Sequence, residues 1–252
     1  MIVISPAKKL NLLDEDYTIN YSEPLFLEKT TKLLNLIKKL NKNEIKSLMK
    51  VSDQLTDLNY ERFLNFTSKS NIKKPAIFMF SGDTFNGLSI RSFNANNLNL
   101  AQKKLRILSG LYGLLRPMDQ INPYRLEMGT TIKEILGDNL PEYWKNVITD
   151  QLNKDLREQQ SKYLFNLASK EYFSSIDLKK IEADVVNFDF KKYKNNKLIN
   201  PGMAIKKYRG EMTRVILENQ ITNLEELKDL KKSNIKFNSY DSKKNSFLFI
   251  IQ

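Results

Sequence analysis

All eight glycines of the chain lie between Gly82 and Gly210, and the outer parts do without one. Glycine costs backbone entropy, so scarce glycines mark φ > 0 or a close backbone approach. Any such turn or approach must therefore fall in the middle of the chain, at Gly82, Gly87, Gly110, Gly113, Gly129, Gly137, Gly202 or Gly210.

The apolar pattern around these points mixes short strands with helices. Ile2–Ser5 reads as a buried strand broken at Pro6, followed by helices over 24–40, 43–50 and from Ser52 to Phe66. Pro75–Phe80 reads as a buried strand with Ser81-Gly82-Asp83 as its turn, and 97–108 as a helix ending near Ser109-Gly110. The segment around Trp144 is an amphipathic helix continuing to Arg157. A strand over 163–168, a turn or short helix over 169–175 and a hairpin around Asn195-Asn196 come next. A helix over 203–220, a capping box at Thr222–Glu225 and a hairpin pairing 235–240 with 246–251 close the chain. With 252 residues, no internal repeat and no Pro/Gly/Ser-rich linker, the expectation is a single α/β (α+β) domain over 1–252, a mixed sheet surrounded by helices.

The chain contains no histidine and no cysteine. That excludes Ser-His and Cys-His nucleophile pairs, thiol redox chemistry, the usual structural zinc sites and cysteine-held iron–sulfur clusters. No dense carboxylate cluster suggests a metal site, and no cofactor is implied. No run approaches the ~18 apolar residues of a membrane span. The four-residue apolar start, followed by its lysines, has the wrong length and order for a signal peptide. A cytoplasmic protein without membrane contact is expected.

The net charge of +12 needs discounting, because 33 lysines and 27 asparagines are what an AT-rich genome produces. Arginine carries more information, since its guanidinium grips phosphate or carboxylate in a way lysine does not copy. Five of the eight arginines, Arg106, Arg116, Arg125, Arg209 and Arg214, fall within 101–129 and 203–219.

Arg106 to Pro117 holds Gly110 and Gly113 among apolar residues with an arginine at each end. Such a turn suits a phosphate-binding nest of backbone N–H groups, or else a tight apolar turn. The following run brings Tyr124, Arg125 and Glu127 together; alone, Arg125 and Glu127 read as a structural ion pair. On the 203–220 helix, Ile205, Tyr208, Met212, Val215 and Ile216 form a core face. Lys207, Glu211, Arg214 and Glu218 form a solvated ladder. Lys206, Arg209, Gly210 and Thr213 lie between as a strip without a carboxylate. Gly210 there indicates close approach by a phosphate or another backbone. The polar loops carrying Lys8, Asp83 and Glu171 each follow an expected strand, which predicts that they meet at one rim.

Ile4-Ser-Pro-Ala-Lys8, Ser52-Asp53, Gly82-Asp83 with Gly87-Leu88, Arg106 to Gly129, Asn166 to Phe173 and Lys206 to Gly210 resemble, in order and spacing, the YaaA family of peroxide-stress-resistance proteins. The resemblance spans nearly the full chain. It implies a bacterial cytosolic protein linked to lowered free iron, with a basic cleft and a helix–hairpin–helix-like DNA-binding element at Gly110 and Gly113. The cleft would draw on Lys8, Arg116, Arg125, Lys206 and Arg209. Phe85 departs from the Tyr of many relatives, and Tyr208 and Glu211 from small or apolar residues.

Two functions are expected from this reading. The first is largely sequence-independent binding of the DNA phosphate backbone by a protein favoured as a monomer. Lys8, Arg106, Gly110, Gly113, Arg116, Arg125, Lys206 and Arg209 would bind, with Tyr112 and Tyr124 stacking on a distorted or flipped base. The alternative is an enzyme acting on a nucleotide or nucleic acid, with Lys8, Asp83, Tyr124, Glu127, Glu171 and Tyr172 as candidate acids and bases.

Overall fold

A computed structural model describes residues 1–13, 20–68, 72–232 and 234–252. Its frame is a mixed sheet: β1 (Ile2–Ile4), β2 (Leu105–Ser109), β3 (Gly113–Leu115), β4 (Tyr163–Asn166), β5 (Asp184–Lys194), β6 (Lys197–Ile199), β7 (Ile235–Asp241) and β8 (Ser246–Ile251), plus Lys231–Lys232 at one edge. The spatial order is Lys231–Lys232, β7, β8, β5, β4, β1, β2, β3, with β6 off this path and paired to β5. Neighbours among β8, β5, β4, β1 and β2 run parallel, so these five strands end at the same edge of the sheet. All three residues of β1 and all five of β2 are buried, as a sheet covered on both faces requires.

The helices cover that sheet. They include α1 (Leu27–Ile37), α2 (Lys42–Met49), α3 (Asp53–Leu64), α4 (Asp83–Leu88), α5 (Ala95–Lys104), α6 (Leu140–Glu158), α7 (Lys170–Phe173) and α8 (Ile205–Glu218). Local chemistry sets several starts. Asn41 and Glu44 form a capping box on α2, Ser52 caps α3 and Asn139 caps α6. Helix α6 buries Trp144, Ile148, Leu152 and Leu156 along one side. Helices α4 and α8 cross where glycine meets backbone. A Cβ on Gly210 would stand 1.8 Å from the Thr84 carbonyl oxygen, and one on Gly87 2.1 Å from that of Lys207. The close approach at Gly210 is therefore to another backbone.

Several sequence expectations are corrected. Pro75–Phe80 is not one strand: Lys74–Pro75 pairs with Gln120–Ile121, Ala76–Met79 forms a helical turn, and Phe80–Ser81 pairs with Lys9–Leu10. An apolar run buried on all sides carries no periodicity to separate helix from strand. The helix expected to reach residue 108 stops at Lys104, because Leu105–Ile107 pair with β1. The helix at 224–228 is capped by Asn223 rather than Thr222. Gly110 and Gly113 sit at a hairpin between β2 and β3, so two strands, not two helices, flank the glycine turn. A helix–hairpin–helix at this position is thereby replaced by a β-hairpin. On α8 the expected solvated ladder is partly interior: Glu211 is buried, accepts from Asn234 and pairs with Lys207. Arg214 is structural, donating to the Leu88 and Ser89 carbonyls and to Ser92 while pairing with Glu218.

Candidate nucleotide-binding cavity

The loops that leave the parallel strands β1 and β4 at their common edge, with three neighbouring segments, surround a cavity of about 380 Å³. The loop after β1 supplies Ser5 to Lys9, the segment before and into α4 supplies Phe80 to Thr84, and the stretch beyond β3 supplies Tyr124 to Glu127. The loop after β4 supplies Leu167, Ser169, Glu171 and Tyr172, and the first turns of α8 supply Lys206 and Arg209. Lys8, Asp83 and Glu171 thus line one cavity; Lys8 and Glu171 come from strand ends of the parallel sheet, where ligands bind in sheets of this kind, and Asp83 from the Phe80–Ser81 segment outside it.

Hydrogen bonds lock the loops together. The Ser169 N–H donates to Ser5 Oγ at 2.8 Å, joining the loops after β1 and β4. The Gly129 N–H donates to Glu171 Oε1 at 2.8 Å, joining the latter loop to the Tyr124–Gly129 stretch. Lys8 Nζ lies 2.6 Å from Glu127 Oε2, and Arg125 donates to the other oxygen of that carboxylate at 3.2 Å. Residues separated by more than 160 positions therefore hold one wall.

The wall is not neutralised. Glu127 answers part of the charge of Lys8 and Arg125, yet the Arg125 Nε–H is buried without a hydrogen-bond partner among the described residues. Arg209 is half-buried, and while its carbonyl accepts from the Thr213 hydroxyl, its guanidinium forms no hydrogen bond or ion pair among the described residues. Burial pushes its pKa down, and the Asp189 charge pushes back. Such a guanidinium remains protonated, but it has given up solvent without gaining a direct partner. Lys206 is exposed beside it. Burial also raises the Tyr124 and Tyr172 phenols above their usual range; for Tyr172 the neighbouring Tyr124, Glu171 and Glu127 add to the effect. Both phenols are hydrogen-bonding groups at neutral pH rather than bases.

The structure leaves five of the expected binding residues outside the cavity. Arg106 is buried: its Nε donates to Asp155 at 2.7 Å and its Nη1 to the Gln102 and Leu105 carbonyls, so the group is committed to the interior and does not reach a phosphate. Arg116 pairs with buried Asp119 and donates to the Glu23 carbonyl, away from the cavity lining. Gly110 and Gly113 lie under α6, where the Trp144 indole N–H donates to the Gly110 carbonyl at 2.9 Å. A Cβ on Gly113, whose φ is +71°, would stand 2.5 Å from the Trp144 ring. The turn is sealed against an incoming anion. Tyr112 is buried with its hydroxyl accepting from the Asn122 N–H, so it cannot stack on a base. Tyr124 does line the cavity, but its ring is buried and its hydroxyl bonds Ser109 at 2.6 Å, which rules out stacking on an exposed base.

The cavity also contains groups that the sequence pattern does not mark as site residues. Thr84 and Lys9 line it, and Ser5 with Ser169 ties its floor. The sequence signal for Thr84 is its adjacency to Asp83, and for Lys9 its place in the Ser5–Lys9 loop that follows the first expected strand.

The family model described as Peroxide stress protein YaaA matches residues 1–241. The chain belongs to this family. Relatives agree along their length: a UPF0246 protein of Legionella pneumophila (strain Corby) is 42% identical over 253 residues, covering 99% of this chain and 98% of the relative. A UPF0246 protein of Francisella philomiragia is 43% identical with 99% of each chain covered, and one of Colwellia psychrerythraea is 41% identical over 99% of this chain and 98% of the relative. YaaA membership makes this a peroxide-stress protein by family. No helix among the described residues is long and apolar enough to cross a membrane.

Proposed function

We propose that this YaaA-family chain binds DNA in the peroxide-stress response and that its cavity receives the phosphate and the attached nucleoside of a distorted or single-stranded segment. The observation that carries this reading is Arg209, a half-buried guanidinium on the cavity wall with no direct partner among the described residues. The unsatisfied Arg125 Nε–H on the same wall supports it. Guanidinium donors of this kind suit a phosphate oxygen. A cavity of about 380 Å³ suits one nucleotide better than a length of duplex. Lys206 and Lys9 at the mouth would meet the flanking phosphates.

The link to lowered free iron follows from family resemblance. No three acidic side chains among the described residues converge to hold a metal ion, so the reading routes protection through DNA rather than through iron bound by this chain. Fluorescence anisotropy with duplex, bubble and single-stranded DNA tests the proposal. Affinity should fall about tenfold or more between about 50 and 200 mM salt, with bubble DNA preferred over duplex. Salt-independent binding, or none, contradicts it.

A second reading has its own support. Lys8, Asp83, Glu127, Glu171 and Tyr172 share the cavity with the cations, which is the composition of an enzyme acting on the bound nucleotide. Chromatographic analysis of oligonucleotides after incubation, looking for a new base or a broken strand, separates catalysis from binding.

A further inference from the structure

The longest strand does more than complete the sheet. β5 pairs with β8 as far as Lys191, and from Lys192 onward, among the described residues, only β6 accompanies it. The two strands are joined by Asn195 and Asn196, both with positive φ, the conformation of a tight hairpin turn whose twist matches its strands. The resulting ribbon extends about 10 Å past the sheet, at ~3.3 Å per residue. It leaves from the edge where the parallel strands end, the same edge that opens into the cavity. Shortly after β6, α8 carries Lys206 and Arg209 into the cavity wall.

The charge on this ribbon is one-sided. From Phe190 to Lys207 the sequence contains six lysines and no carboxylate. Lys194 faces Lys197 directly across the strand pair, an arrangement that costs stability. Among the described residues, Lys191, Lys192, Lys194 and Lys197 form no ion pair. Tyr193 pairs with Leu198 at the next position along, the two exposed by 59% and 38%. Scattered lysines need no explanation, but four on a projecting hairpin, with an uncompensated like-charge pair, have a pattern that a polyanion would neutralise.

We infer that the β5–β6 ribbon is a docking arm for double-stranded DNA beside the cavity. Its lysines meet backbone phosphates, and Tyr193 and Leu198 lie toward the groove, into which a two-stranded ribbon fits. The arm takes the duplex flanking the nucleotide held in the cavity, and so rests on the nucleic-acid reading given above.

The test uses the full chain with Lys191, Lys192, Lys194 and Lys197 all changed to Gln. Three probes are applied: a short labelled duplex over a salt series, a deoxynucleoside monophosphate by calorimetry, and vesicles of phosphatidylglycerol and phosphatidylcholine. The variant should bind duplex at least about tenfold more weakly at low salt, and its log–log salt slope should be smaller by about 3. Mononucleotide binding and the melting temperature should remain those of the wild type. Unchanged duplex affinity and slope overturn the arm while leaving the cavity reading intact. A wild type that binds the mononucleotide but not duplex likewise overturns the arm alone. A wild type that fails to bind the mononucleotide overturns the cavity reading, and the salt-slope change still decides the arm separately. Lysine-dependent binding to vesicles without binding to duplex assigns the ribbon to a lipid surface and overturns the inference.

Discussion

Lys8, in the loop after the first strand, lies 2.6 Å from Glu127, more than a hundred residues away in sequence. Glu127 also pairs with Arg125, so one carboxylate screens two of the cations lining the cavity. A phosphate entering the cavity competes with it. Glu127→Gln removes the competitor and keeps the shape. The variant should bind DNA about three- to tenfold more tightly at low salt, measured by anisotropy. If Glu127 instead served as an essential acid or base, the same variant would abolish product formation while retaining the ligand.

Gly210 carries a different kind of constraint. A Cβ there would stand 1.8 Å from the Thr84 carbonyl, in a backbone-to-backbone contact with no flexible atom to yield. Gly210→Ala should destabilise the protein by about 3 kcal/mol or more, lowering the melting temperature by roughly 6–12 °C in scanning calorimetry. An unchanged melting temperature would mean that α4 and α8 do not cross as described.

Arg106 separates stability from binding. It is buried on Asp155, whose other oxygen accepts from Gln151. Arg106→Ala leaves that carboxylate without its cation in the interior and should cost about 3–5 kcal/mol, read by urea unfolding. The fraction that remains folded should bind DNA like the wild type.

Three tyrosines set the alkaline limit. Burial raises the Tyr112, Tyr124 and Tyr172 phenols above the ordinary value of 10.0. An unfolded chain loses these protons near that ordinary value while the folded chain keeps them. Their contribution is therefore fully present below about pH 10 and declines as pH rises beyond it, by up to about 4 kcal/mol per pH unit for the three together. At least three of the eleven tyrosines should remain silent at 295 nm until the circular dichroism signal is lost. Their titration in the folded protein would contradict the burial.

How much of this is legible in the sequence depends on the kind of signal. The long amphipathic helices and the two hairpins are readable because periodicity and turn residues act locally. The convergence of Lys8 and Glu171 is also readable, since β1 and β4 are parallel neighbours ending at one edge of the sheet, whereas Asp83 joins them from a segment outside that sheet. Residues 75–80 and 105–108 are not, because their state is decided by strands that pair from distant parts of the chain. Arg106 and Arg116 look as exposed in the sequence as Arg125 and Arg209. Only the fold shows that Asp155 and Asp119 use up the first pair, while the second faces the cavity. Likewise the sequence marks the glycines at 110 and 113 as special, but what approaches them is Leu126 and Trp144, not phosphate.

On the function proposed above, Arg209 awaits an anion in the cavity. Arg209→Gln, assayed by anisotropy with labelled bubble DNA at fixed low salt, tests it most directly. The variant should lose at least about tenfold in affinity, the scale of one charged hydrogen-bonding group, while its melting temperature is unchanged or higher. Wild-type affinity in a variant that is equally well folded would mean that Arg209 does not hold the DNA.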